Sequence, residues 1–230
     1  MKNLKSTFLV FLIGIGLVEG IYGQDWPNLK EFQEANQELG APAADEDRVV
    51  FMGNSITIGW LNNRPEFFEG KPYVNRGISG QTTPQMLIRF RQDVVDLKPK
   101  VVVILAGTND IAGNTGPSTL EMIADNIKSM AEIAHANGIK VVLSSTLPAY
   151  DYPWKPGLEP APKIIELNKM IKAYAEVKGH IYLDYFSAMA DDRNGLPKKY
   201  ADDEVHPTIE GYKVMEPLVE KAISEALGKQ

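Results

Sequence analysis

Ser55 stands in the stretch FMGNSITIGW, Phe51 to Trp60, where an apolar run ends abruptly in Gly53, Asn54 and Ser55. A serine in that setting can cap a helix running through ITIGW. It can also act as a nucleophile, if a base lies in hydrogen-bond reach and a third group orients that base. The chain has only three histidines, which makes the search for a base short. His180 opens an apolar strand without an acidic neighbour before it and reads as structural. His135 follows Glu132 by three residues in EIAH, but no second such pair exists to build a two-metal carboxylate site, so it reads as a surface or boundary residue. His206 differs. It lies in DDEVHPTIEGY, three residues after Asp203 and directly before Pro207. A turn of that spacing can set the carboxylate against one ring nitrogen and leave the other free to take a proton. Pro207 holds His206 in extended backbone ahead of the last helix. An Asp and a His in a solvated loop would share this pattern, and Asp202 is a neighbouring candidate for the carboxylate.

Acyl transfer also requires donors aimed at the oxyanion that develops on the carbonyl oxygen. Gly80, in ISGQT, can present a backbone N–H without a side chain over it, and Asn109, in GTND, can present its side-chain amide. A tight turn and an Asx-turn are the structural alternatives. The four blocks GNS, GISGQTT, GTND and DEVH together resemble the signature of the SGNH (GDSL-type) hydrolases, over the chain from about Arg48 to Gly228. The resemblance implies Ser55 as nucleophile and as a backbone oxyanion donor, with Gly80 and Asn109 completing the oxyanion hole. It further implies Asp203 and His206 as the rest of a triad. The fold it implies is a flavodoxin-like three-layer α/β/α sandwich with a five-stranded parallel sheet. One departure is visible. The first block of the family reads G-D-S, and Asn54 stands here in place of the Asp, which removes any charge network the acid would form. The G-x-S-x-G elbow of α/β-hydrolases is not met, because Thr57 occupies the place of its second Gly.

Elements able to position such residues alternate along the chain. Short β-branched runs predict strands at Arg48–Met52, Tyr73–Ile78, Val101–Ala106, Val141–Ser145 and Ile181–Tyr185. Helical spacing predicts helices at about Pro84–Leu97, Pro117–Asn137, Lys163–Val177 and Ile209–Leu227, and a short one over Trp26–Leu39. Thr83 and Thr208 read as N-caps, and Gly138 and Gly179 as helix ends. Continuous apolar runs such as VVVILA imply strands covered on both faces, as in a parallel sheet of an α/β protein. In such sheets ligands bind beyond the carboxyl ends of the strands, where GNS, GISGQTT and AGTND all fall.

Composition narrows the function classes. A chain of 230 residues, 44% hydrophobic and 23% charged, suits one globular α/β domain. The charge of -6 is spread along the chain and no Lys/Arg cluster appears, which argues against nucleic acid and anionic membrane surfaces as partners. Lys2 and Lys5, the apolar run Phe8–Val18 and the small residues Gly20 and Gly23 match a secretory signal peptide over residues 1–23, cleaved to leave Gln24. The run is too short to span a bilayer. The expected organisation is then a leader at 1–23, a helix and loop at 24–47, and the hydrolase domain at 48–230. Cysteine is absent, which excludes disulfides, thiolate metal sites and an acylated-cysteine anchor.

After the fourth strand, LPAYDYPWKPGLEPAP carries five prolines together with Tyr150, Tyr152 and Trp154. Such a loop can wall a substrate site and stack on a sugar ring, or fold its aromatics back on the domain. Trp60 and Arg76 are further candidates for the pocket border. The expectation is an exported serine esterase, periplasmic or secreted, that needs no metal or organic cofactor. Its expected substrate is a small-molecule or carbohydrate ester, with acetate on a carbohydrate preferred. A lipase, lysophospholipase or thioesterase on the same scaffold is the alternative, and a non-catalytic carbohydrate-binding protein a more distant one.

Overall fold

Apolar runs become buried strands in a computed structural model that describes residues 24–229; the expected leader at 1–23 lies outside the described residues. In chain order the elements are α1 (Gln33–Leu39), β1 (Val49–Gly53), α2 (Ser55–Asn63), α3 (Pro65–Phe68), β2 (Tyr73–Gly77), α4 (Thr83–Asp93), β3 (Val101–Leu105), α5 (Thr108–Ile111), α6 (Leu120–Ala136), β4 (Lys140–Ser144), α7 (Pro160–Lys178), β5 (Ile181–Leu183), α8 (Tyr185–Met189) and α9 (Ile209–Ala226). A 3₁₀ turn at Val95–Leu97 follows α4. The strands form one parallel sheet in the order β2-β1-β3-β4-β5. The order reverses between β1 and β3, the crevice where open α/β sheets bind ligands.

Alternation along the strands divides the core. Val50, Met52, Val102 and Ile104 face one side and pack against α4, α6 and α7 through Phe90, Ile123, Ile127, Ile164 and Leu167. Val49, Phe51, Val101 and Val103 face the other and pack against α2, α3 and α9 through Ile56, Trp60, Phe67, Tyr212 and Val219. The result is the expected three-layer sandwich. Two glycines allow the close contact that sets α2 against the strand ends. A Cβ on Gly53 would lie 1.9 Å from Thr57 Oγ1, and one on Gly77 would lie 2.3 Å from the Ile58 nitrogen. Among the described residues no helix is long and apolar enough to cross a membrane.

Several local expectations require correction. The helix expected over Trp26–Leu39 begins only at Gln33. Before it the chain runs through tight turns, with Asn28 left-handed at φ 57° and the Asp25 carboxylate accepting from the Leu29 and Lys30 N–H groups. The cap of α4 is Thr82, whose N–H donates to Gln85 Oε1. Thr83, the expected cap, donates its hydroxyl to Asp110 instead. Thr208 does cap α9, accepting from the Gly211 N–H.

Candidate active site

Ser55 is the first residue of α2, and Asn54 is the cap: its Oδ1 accepts from the Ile56 N–H at 3.0 Å. The neutral amide therefore performs the capping that the sequence left open to Ser55. Relieved of it, the Ser55 hydroxyl stands 2.9 Å from His206 Nε2, across 151 residues of sequence. His206 Nδ1 lies 2.7 Å from Asp203 Oδ2. The other carboxylate oxygen accepts the Val205 and His206 N–H groups at 2.9 and 2.7 Å. Because a carboxylate only accepts, it holds the proton on Nδ1 and leaves Nε2 to accept from Ser55. Burial pushes the Asp203 carboxyl up, but the His206 side chain and the two N–H groups outweigh this and hold it below its ordinary value. Between Asp203 and Val205, Glu204 adopts a left-handed backbone at φ 62°, and its carboxylate pairs with Arg193 at 3.1 Å.

The two other blocks arrive on neighbouring strand ends. Gly80 lies in the turn after β2 at φ 75° and is exposed. Its carbonyl accepts from Asn114 Nδ2 at 3.3 Å. Asn109, buried in α5 after β3, donates one amide proton to the Gln81 carbonyl at 2.9 Å and retains a second. The Ser55 N–H belongs to the first turn of α2, whose donors have no partner within the helix. Three donors thus come from the ends of β1, β2 and β3.

Sequence reasoning missed the buried groups that join these blocks. Asp110 accepts the Thr83 N–H and hydroxyl at 2.9 and 2.6 Å, tying the end of β3 to the start of α4. Burial raises its carboxyl to about 6, against the two Thr83 bonds. Arg89, with no exposed side-chain surface, donates Nε to Gln81 Oε1 at 2.5 Å and Nη2 to the Gly53 and Arg76 carbonyls at 3.0 and 2.9 Å. Its Nη1 pairs at 3.0 Å with Asp93, equally buried. One side chain therefore braces the residues before Ser55 and after Gly80. The available cue was an Arg and an Asp four residues apart on one amphipathic helix, which also describes many exposed pairs.

Of the pocket-border candidates, only Trp154 lies against the Ser–His–Asp line. Its ring is partly exposed, 5.9 Å from the His206 ring, and stacks on Tyr152 at 5.0 Å. Tyr152 itself is fully buried and supports Trp154 from beneath. Trp60 is a core residue, stacked on Phe67 at 4.8 Å and on Tyr212 at 5.5 Å. Arg76 is buried under the segment leading into α1, with its guanidinium 4.7 Å over Phe32 and its Nε bonded to Asn36. Burial lowers it to about 10, partly offset by Asp93. Tyr150 is exposed, but it lines a separate groove beneath Arg193.

A model of the GDSL-like Lipase/Acylhydrolase family matches residues 51–214. The fold overlays on a proposed acylhydrolase of Bacteroides fragilis NCTC 9343 with a TM-score of 0.86 at 49% identity, covering 89% of this chain and 100% of that one. A GDSL-like lipase of Bacteroides thetaiotaomicron VPI-5482 gives a TM-score of 0.84 at 47% identity, over 87% and 98% of the two chains. The sequence is also similar to an acetylxylan esterase of Xylanibacter ruminicola, 27% identical over 224 aligned residues, which cover 81% of this chain and 45% of that protein. The chain spans 32% to 46% of the length of the curated relatives it matches.

Proposed function

The chain belongs to the GDSL-like lipase/acylhydrolase family, and from that premise we propose that it is an exported serine esterase removing acetyl groups from carbohydrate. The observation that carries the reading is the hydrogen-bonded line from Ser55 through His206 to Asp203, at 2.9 and 2.7 Å. Ser55 Oγ attacks the ester carbonyl while His206 Nε2 takes its proton. Asp203 stabilises the imidazolium that forms. The oxyanion is held by the Ser55 and Gly80 N–H groups and by the free proton of the Asn109 amide. Collapse of this intermediate breaks the bond to the alcohol oxygen, which leaves with the proton from His206. Water then attacks the acyl-enzyme, giving its proton to His206, and acetate and Ser55 are released.

The carbohydrate half of the reading is supported by position. The departing alcohol must reach His206 Nε2, and the partly exposed Trp154 ring beside that imidazole offers a flat apolar face of the kind sugars stack on. The similarity to an acetylxylan esterase agrees with that chemistry. Export rests on the leader-like residues 1–23.

Acid release from acetylated sugars and from esters of increasing acyl length tests both halves. Wild type is expected to favour acetyl esters, and Ser55→Ala to lose nearly all hydrolysis while folding normally. Asn109→Ala should lose about 10²–10³ in kcat, the usual effect of one oxyanion donor. Equal hydrolysis by wild type and Ser55→Ala rejects the mechanism. Preference for long acyl chains rejects the carbohydrate substrate and favours a lipase.

A further inference from the structure

A cleft opens beside the Gly80 turn. Its volume is about 530 Å³, and it lies between that turn and the N-terminal residues Asp25, Trp26 and Asn28. Ile78, Ser79, Gln81, Gln85, Asn114 and Thr115 complete its walls. We propose that this cleft is a glycan subsite, which binds a neighbouring sugar of an oligosaccharide whose acetylated sugar sits at Ser55. The inference rests on the carbohydrate-ester reading above and adds to it where the rest of the chain binds.

Chemistry selects the ligand class. The lining is mainly amide and hydroxyl groups with one large aromatic, Trp26, whose surface is 41% exposed. An acyl tail requires apolar walls, and Ile78 is the single aliphatic side chain here. An anion would meet the Asp25 carboxylate, and no Lys or Arg lines the cleft to neutralise it. A neutral polyol with one apolar ring face suits both the polar walls and the indole.

The backbone that carries the ring is also held in place before any ligand arrives. Gln85 Nε2 donates to the Trp26 carbonyl at 2.7 Å, and the buried Gln81 Nε2 donates to the Pro27 carbonyl at 2.7 Å. Gln81 is in turn gripped by Arg89, and its own carbonyl accepts from Asn109. The segment bearing Trp26 is thus bonded to the loop that presents Gly80 and to the partner of Asn109. Immobilising the platform in advance removes an ordering cost from binding.

The test measures acetate release from an O-acetylated xylotriose, from an acetylated methyl xyloside and from 4-nitrophenyl acetate. Wild type, Trp26→Ala, Trp26→Phe and Asn114→Ala are compared. Trp26→Ala is expected to lower kcat/KM for the trisaccharide, relative to that for the monosaccharide, by about fivefold, mainly through KM. Trp26→Phe should restore most of this ratio, and Asn114→Ala should lower it about threefold, the size of one neutral hydrogen bond. Wild type that hydrolyses 4-nitrophenyl acetate but neither sugar ester overturns the carbohydrate reading and the subsite together. Wild type that hydrolyses both sugar esters, with the same ratio in Trp26→Ala, overturns the subsite alone.

Discussion

Replacing Arg89 with Met tests whether the buried brace beneath the Ser55 and Gly80 loops is an electrostatic unit. In the folded chain Asp93 has no exposed side-chain surface, and Arg89 is its ion-pair partner at 3.0 Å. Asn36 Nδ2, at 2.8 Å, and Gln92 Nε2, at 3.3 Å, contribute only neutral hydrogen bonds. Removing one member of such a pair leaves a buried charge without its partner, which costs about 3–5 kcal/mol. The variant also strips donors from Gln81 Oε1 and the Gly53 and Arg76 carbonyls, so the upper half of that range is expected. With a urea slope of about 2–3 kcal/mol per molar for a chain of this size, the unfolding midpoint should fall by about 1.3–2.5 M. Asp93→Leu alone should cost a similar amount, because it leaves Arg89 and Arg76 as two buried cations. The double variant Arg89→Met/Asp93→Leu leaves Arg76 as the one buried cation of the cluster and should lose clearly less than the two singles combined, with a coupling of about 1.5–3 kcal/mol. Urea unfolding followed by tryptophan fluorescence on all four proteins measures this directly. Losses that add to within about 0.5 kcal/mol would show that the two charges do not depend on one another.

Two further outcomes are expected. The Asp110 carboxyl, raised by burial to about 6 from 3.8, contributes stability that is present below pH 3.8 and is lost as pH rises through about 6. The contribution is about 3 kcal/mol, so Asp110→Asn should flatten the stability profile between about pH 4 and pH 6; superimposable profiles would refute the raised carboxyl. Asn54→Ala removes the acceptor of the Ile56 N–H and should cost about 1–2 kcal/mol in urea unfolding, whereas a loss below about 0.3 kcal/mol would mean that Asn54 does not hold the start of α2.

Much of this arrangement was legible in the sequence, for identifiable reasons. Val101–Leu105 and its counterparts are short, apolar and β-branched, so their burial on both faces follows from composition alone. GNS, GISGQTT and GTND each interrupt such a run at its carboxyl end, which places them at one edge of the sheet. The approach of His206 to Ser55 could be anticipated because three histidines left few choices and only one had an Asp at turn spacing. Side-chain direction was not legible. Trp60 lies five residues after Ser55 on the same helix, yet it points into the aromatic core with Phe67 and Tyr212. Tyr152 and Trp154 sit two apart in one loop, and only their packing tells the buried ring from the exposed one. Arg76, a candidate for the pocket border, is buried instead, which is rare for arginine. Asn36, Asn75 and Phe32, distant from it in sequence or silent in pattern, make its burial possible. Adjacent threonines at 82 and 83 offered two caps, and Asp110, a residue far along the chain, engages the second.

Asn36 has a consequence for where the protein can be cut. Its amide donates to Asp93 while its oxygen accepts from Arg76, so a residue of the N-terminal segment closes a polar cluster inside the hydrolase body. The stretch recognisable as family begins at Phe51, downstream of that closure. Expression boundaries drawn at the recognisable stretch would remove Phe32 and Asn36 from over Arg76 and Asp93 and open the cluster to water. Residues 25–36 are thus hydrogen-bonded to the body that the signature marks, through Asn36 and the Trp26 and Pro27 carbonyls.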